Sequence, residues 1–260
     1  MLALLGWALL GVPVGALAAQ HMGGGAAGPA AARPFAQGEA AEYQVKLGGV
    51  TMGSGSMHLL AIEEVAGYPT YRARLRIAGG LPLARVDDTF ESWIDVEGLF
   101  SRRFRQDQKE LRFRRQRTYH FSPEERSYRR ENGQTGTLPT ARPLDEVSIL
   151  YYARTLPLKV GETYTIAHYF KEDGNPVQLK VLRKETVRVP AGTFQTVVVQ
   201  PIIQTKGLFG RGGRAEVYFT DDERRLLVQM KSSVPVVGSL SLHLRSYRAG
   251  SGQLAALSAP

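Results

Sequence analysis

The sequence predicts a mostly antiparallel β domain that carries one short helix. Three observations lead there. Apolar and polar residues alternate with a period of two along most of the chain, as in Tyr71-Arg72-Ala73-Arg74-Leu75-Arg76-Ile77, and that period gives a strand one apolar and one wet face. Glycine and proline punctuate the runs at Gly49, Gly67-Tyr68-Pro69, Gly98, Gly133, Gly161, Gly174-Asn175-Pro176 and Gly192, where tight turns need them. A single segment, Asp145 to Arg154, abandons the alternation and is apolar nearly all round, the pattern of a helix buried on more than one side.

In chain order, residues 1–19 read MLALLGWALLGVPVGALAA and carry no charged side chain. The apolar run ends in small residues, and Ala16-Leu17-Ala18 matches a small-x-small cleavage site. We read it as a cleaved signal peptide, with the mature chain beginning near Ala19 or Gln20 and the protein exported to the periplasm; an uncleaved anchor and a buried core segment are the alternatives. Its n-region lacks Lys and Arg, so only the terminal amine supplies positive charge. The run is broken by Pro13 and is short for a bilayer span. No later stretch is long and apolar enough to cross one, so no integral span is expected after signal removal.

Residues 20–34 are rich in Gly and Ala without periodicity, which reads as a flexible linker. Residues 35–249 form the expected single β domain, and 250–260 a disordered tail of small residues. Tyr43 to Leu47 and Leu240 to Leu244 alternate like the run already quoted. The spacing of turns accommodates roughly ten to twelve strands. Gly53-Ser54-Gly55-Ser56 lies among strand-like residues and reads as a close-packed or bulged strand. The helix is expected over Asp145–Arg154, after Pro143, with Asp145 as N-cap and acidic residues in the first turn. A helix lying in or across a curled sheet would bury it on several sides.

The chain of 260 residues is 43% hydrophobic and 22% charged, enough to build a core without staples. It has no cysteine, which excludes disulfides, a thiol nucleophile, cysteine zinc sites and a lipobox anchor. The formal charge of +9 favours anionic partners.

Several motifs stand in order along the chain: Asp145-Glu146-Val147-Ser148-Ile149-Leu150-Tyr151-Tyr152-Ala153-Arg154, Pro157-Leu158 with Gly161, Val189-Pro190-Ala191-Gly192-Thr193-Phe194, and Tyr218-Phe219-Thr220-Asp221-Asp222-Glu223-Arg224-Arg225-Leu226-Leu227-Val228. With Gly38-Glu39, Tyr43 and Gly53 near the start, they resemble the DUF3108 family of bacterial exported proteins over Phe35 to Tyr247. Leu227-Val228 departs from a proline-containing ending expected there. The resemblance implies an envelope protein with one large antiparallel, strongly curled sheet or partly open β-barrel, and it implies no catalytic residues. Read from the residues themselves, Pro190-Ala191-Gly192-Thr193 and Thr220 to Arg224 are hairpin turns between strand formers.

Chemistry-bearing constellations are sparse. The histidines, His21, His58, His120, His168 and His243, show no metal spacing, and no G-x-S-x-G elbow is present. Asp87-Asp88 and Asp221-Asp222 are neighbours that a strand points to opposite faces. No catalytic residue, metal or cofactor is expected. Gly207 to Arg214 is a glycine-rich loop that reads first as a flexible hairpin, since a strand rather than a helix follows it; its amides, with Arg211 and Arg214, could alternatively form an anion lip. The richest signal is a basic run: Arg102-Arg103-Phe104-Arg105, Lys109, Arg112-Phe113-Arg114-Arg115-Gln116-Arg117, then Arg126, Arg129 and Arg130. Alternation sends Phe113, Tyr119 and Phe121 to the core and Arg112 and Arg114 to the wet face. Arg115 and Arg117 share the parity of Phe113 and must lie beyond the core edge or follow a bulge.

The expected function is non-enzymatic binding of an amphiphilic or anionic envelope component, a lipid, lipopolysaccharide or glycan, or assistance in envelope assembly. Arg112, Arg114, Arg115 and Arg117 would hold the anionic part, and a groove beside the helix, with Tyr151, Tyr152 and Arg154, the apolar part. Basic residues among aromatics also suit nucleic acid, but an exported chain without a nucleic-acid motif argues against that partner. A hydrolase acting on envelope polymers through residues that converge only in three dimensions, and a structural module for a protein partner, are the alternatives.

Overall fold

A computed structural model describes residues 33–81, 84–110, 113–166, 170, 177–202, 214–234 and 238–251. The expected signal segment, most of the linker and most of the tail lie outside the described residues. The elements are β1 (Ala40–Leu47), β2 (Val50–Val65), β3 (Tyr68–Leu81), β4 (Ala84–Asp95), β5 (Ser101–Glu110), β6 (Phe113–Ser122), β7 (Ser127–Arg130), β8 (Thr135–Thr137), α1 (Ser148–Arg154), β9 (Thr163–Ile166), β10 (Val177–Val189), β11 (Gly192–Ile202), β12 (Arg214–Thr220), β13 (Leu227–Val234) and β14 (Gly238–Arg248). The fourteen strands among the described residues exceed the expected ten to twelve. The surplus lies in β7, β8 and β9, which have four, three and four residues and are too short to display a period.

All strands join one antiparallel sheet, in the order β8-β7-β6-β5-β4-β3-β2-β1-β14-β13-β12-β11-β10-β9. The first and last strands meet in its middle, from Ala40 opposite Arg248 to Leu47 opposite Leu240. The two edges, β8 and β9, do not pair with each other, so the sheet is not closed. It curls because both arms pack on α1, the one helix among the described residues. Asp145, just before α1, accepts hydrogen bonds from Ser92 of β4 and Ser101 of β5. From the helix, Ile149, Leu150 and Ala153 face Val199 of β11 and Val217 and Phe219 of β12 across an apolar gap of about 20 Å³. Phe170 caps the β6–β7 arm with its ring 4.9–5.5 Å from those of Tyr119, Phe121 and Tyr128, near-perpendicular packing that aromatic quadrupoles favour.

The helix begins later than expected. It spans Ser148–Arg154, its N-cap is Val147, and no acidic residue stands in its first turn. Asp145 nevertheless serves the helix start, because its Oδ1 accepts the amides of Val147 and Ser148 at 2.8 and 2.9 Å. The sequence shows the capping residue type, but not that a turn at Glu146-Val147 intervenes.

Gly53 shows why the glycine-serine stretch of β2 needs small residues. A Cβ there would overlap the Ala78 carbonyl and the Cα of Gly79 on β3. Gly53→Ala is therefore expected to cost about 1–3 kcal/mol. Gly55→Ala, whose Cβ would meet contacts of 3.4 Å or more, is expected to cost less, and denaturant midpoints of the two variants check this order.

Candidate functional site

The face of β3 to β7 opposite the core carries a cluster of basic residues. On β3, Tyr71, Ala73, Leu75 and Ile77 are buried, so the alternation turns Arg72, Arg74 and Arg76 outward. Strand pairing then builds rows across the sheet. One row runs Arg72, Trp93, Arg103, His120, Arg129, and the next runs Arg74, Glu91, Arg105, Thr118. A third runs Arg76, Thr89, Asp107, Gln116, and beyond it Asp87, Lys109 and Arg114 stand opposite one another.

Acidic groups are outnumbered here. Glu91, with a side chain 5% exposed, takes Arg72 and Arg74 at 2.8 and 2.9 Å, while Arg105 approaches only to 3.8 Å, beyond hydrogen-bond reach. Burial alone would raise the Glu91 carboxyl, but the hydrogen bonds from Arg72 and Arg74 outweigh it and hold the group below the usual carboxylate range. Glu63 accepts from Trp93 Nε1 at 2.7 Å and from Arg72 at 2.9 Å, and these bonds, that of Trp93 foremost, keep it ionised. Asp87 binds Arg76 through two bonds of 2.9 and 3.0 Å. Between these pairs lies an open depression of about 390 Å³ lined by Arg74, Arg76, Thr89, Glu91, Arg105 and Asp107.

The Trp93 ring lies under two guanidinium groups, Arg72 at 5.4 Å and Arg103 at 5.1 Å, an arrangement that orients the cations. Among the described residues no carboxylate pairs with Arg103, and its Nε is buried without a hydrogen-bond partner. Arg102, its neighbour, is structural: it is buried against Asp95 at 2.7 Å and lies over the Tyr68 ring at 3.3 Å.

Among the described residues, those singled out from the sequence fall on different faces of the sheet and in the core. Arg114 is exposed on the basic face. Arg115 and Arg117 lie on the opposite face, paired with Gln108 and Gln106. The β5–β6 register has no bulge, so of the two options they lie beyond the core edge that starts at Tyr119. Arg112 and Arg211 lie outside the described residues, as does the side chain of Arg214 at the start of β12. Tyr151 and Arg154 are buried and Tyr152 is half-buried. The Arg154 guanidinium is engaged inside the fold by Glu39, so it is a core group rather than part of a ligand surface.

Reasoning from sequence missed Arg72, Arg74, Arg76, Arg103 and Arg105 as one surface. The signal was present: every polar position of Tyr71–Ile77 is arginine. Their meeting with Arg103 and Arg105 depends on the register of β4.

The sequence profile described as "Protein of unknown function (DUF3108)" matches residues 42–245. The chain belongs to the DUF3108 family. No curated protein matches it. Among solved structures, a β-barrel-like protein of domain of unknown function DUF1849 from Brucella abortus shares 13% identity, with 85% of this chain and all (100%) of that one covered, at a TM-score of 0.53. The DUF3108 chain and that protein thus share a fold. A candidate lipoprotein from Parabacteroides distasonis and a candidate exported protein with a YmcC-like fold from Bacteroides fragilis each share 12% identity, covering 83% of this chain and 98% of theirs, at TM-scores of 0.33 and 0.30.

Proposed function

We propose that this DUF3108 chain is an exported, non-enzymatic envelope protein that binds an anionic envelope component through the outer face of β3 to β7. The single observation that supports this most is the charge balance around Glu91, where Arg72, Arg74 and Arg105 gather on one buried carboxylate beside Arg103 with no carboxylate partner among the described residues. A planar guanidinium binds phosphate or carboxylate through two parallel hydrogen bonds. The apolar gap beside α1, about 20 Å³, is the size of roughly one water probe, so recognition of a headgroup on the outer face fits better than an acyl chain held there. The amino-terminal apolar run supports export. Among the described residues no helix is long and apolar enough to cross a membrane.

The test is binding to vesicles with and without anionic lipid, at low and high salt. Screening over about 8 Å at physiological ionic strength predicts weaker binding as salt rises. Changing Arg105 and Arg114 together to Gln is expected to weaken low-salt binding about 10- to 30-fold, at about 1 kcal/mol for each basic residue near an anionic surface. Changing Arg115 and Arg117 to Gln, on the other face, is expected to leave it close to wild type. If both pairs bind like wild type, the basic face is only a solvated surface.

A further inference from the structure

This inference rests on the outer face being an anion-binding surface. We propose that Arg103, His120 and Arg129 form a phosphodiester subsite within it, filled with uptake of a proton by His120, so that binding strengthens as pH falls. The three residues stand directly opposite one another on β5, β6 and β7, and antiparallel strands about 4.8 Å apart set Arg103 and Arg129 on either side of His120 at roughly twice that spacing, a gap that two long guanidinium side chains can close on one phosphodiester. Arg103 is held in place by its stack on Trp93, and one of its buried donors is unused. Arg129 is exposed and has no carboxylate partner among the described residues.

The charged groups facing His120 are Arg103 from β5, Arg129 from β7 and, just past β7, Glu131; Thr118 is its outward neighbour on β6. Two guanidinium groups against one carboxylate leave a local excess of positive charge. Burial first, and then Arg103 and Arg129, hold the imidazole below its ordinary range, so the ring of the empty subsite resists protonation. A bound phosphodiester cancels part of that repulsion and gives the imidazolium an acceptor. Its pKa then rises on binding, and by linkage the anion binds more tightly where the ring protonates. The gain is complete below the pKa of the empty subsite and is lost as pH rises through that of the occupied one.

The experiment uses the mature chain with phosphatidylglycerol vesicles and, separately, a soluble glycerophosphodiester, since neither phosphodiester changes charge between about pH 5.5 and about pH 8. Wild type is expected to bind about 5- to 10-fold more tightly at the lower pH, the scale of a one-charge coupling. His120→Gln is expected to lose the gain and bind with the same affinity at both pH values. Arg103→Gln is expected to weaken binding at both. A gain seen with both probes assigns the subsite to the phosphodiester wherever it is carried, and one seen with vesicles alone assigns it to a lipid headgroup. If His120→Gln keeps the full gain, or the His120 resonance of wild type titrates identically with and without a soluble probe that binds, the subsite is wrong. Binding that is tight but independent of pH overturns this subsite and leaves the basic face standing, whereas no binding at either pH overturns both.

Discussion

Arg154→Met is expected to destabilise the protein by about 3–5 kcal/mol, the cost of leaving one member of a buried ion pair without its partner. The Arg154 and Glu39 side chains are 1% and 3% exposed. Their two hydrogen bonds measure 2.6 and 2.9 Å. The same guanidinium donates to the Arg224 carbonyl at 3.0 and 3.2 Å and to the Pro34 carbonyl at 2.8 Å. It also lies 5.3 Å from the Phe35 ring and 5.6 Å from that of Tyr151. Tyr247 completes the cluster by donating to Glu39 at 3.1 Å, and burial, with Glu39 beside it, pushes its hydroxyl up to about 12. One side chain thus joins the amino-terminal segment, the helix end and the β12–β13 turn, while its carboxylate partner holds β14. Combining Arg154→Met with Glu39→Gln removes both charges and is expected to recover much of the loss. Urea unfolding of the two single variants and the double variant checks this. A loss below about 1 kcal/mol in Arg154→Met, or a double variant whose loss is the sum of the singles, would contradict the pairing.

Asp145→Ala is expected to cost about 2–4 kcal/mol at neutral pH, from the lost cap and the buried donors left without an acceptor. Its Oδ2 accepts Ser92 and Ser101 at 2.6 and 2.7 Å, and its Oδ1 accepts two backbone amides. Burial nonetheless outweighs these four donors and raises the carboxyl from its ordinary 3.8 to about 6. The sign follows from proton binding: between those values the folded state holds a proton that the unfolded state has released. The group therefore favours folding fully below pH 3.8, and that contribution is lost as pH rises through 6. A shift of this size is worth about 3 kcal/mol. Asp145→Asn keeps an acceptor for the amides and carries no charge. It is expected to lose less stability than Asp145→Ala, and its stability relative to wild type is expected to improve by a few kcal/mol from about pH 4 to about pH 7. A difference between wild type and Asp145→Asn that stays flat over that range would show that the carboxyl titrates normally.

Much of the architecture was legible because alternation is a local property. The burial of Tyr43 and Val45, of the apolar residues of Tyr71–Ile77, and of Leu242 and Leu244 follows from a period that each strand carries by itself. The same parity separated Arg114 from Arg115 and Arg117. The helix was visible as the one interruption, although its first residue was not, since Asp145 bonds forward across a turn. Short strands left no period to read, which is why the edges of the sheet were not counted.

What the sequence determined alone is the class of fold, the family and the outward face of Arg114, whereas the placing of Arg115 and Arg117 waited on the bulge-free β5–β6 register. Only the tertiary structure decided which arginines are already paired. Arg154 and Glu39 are separated by 115 positions, and nothing local to the helix marks that arginine as a core group. Arg103 and Arg129 become neighbours of one histidine only through the registers of β5, β6 and β7. Periodicity depends on adjacent residues, whereas electrostatics depends on distance and burial, and both of these are set by contacts between segments far apart in the chain.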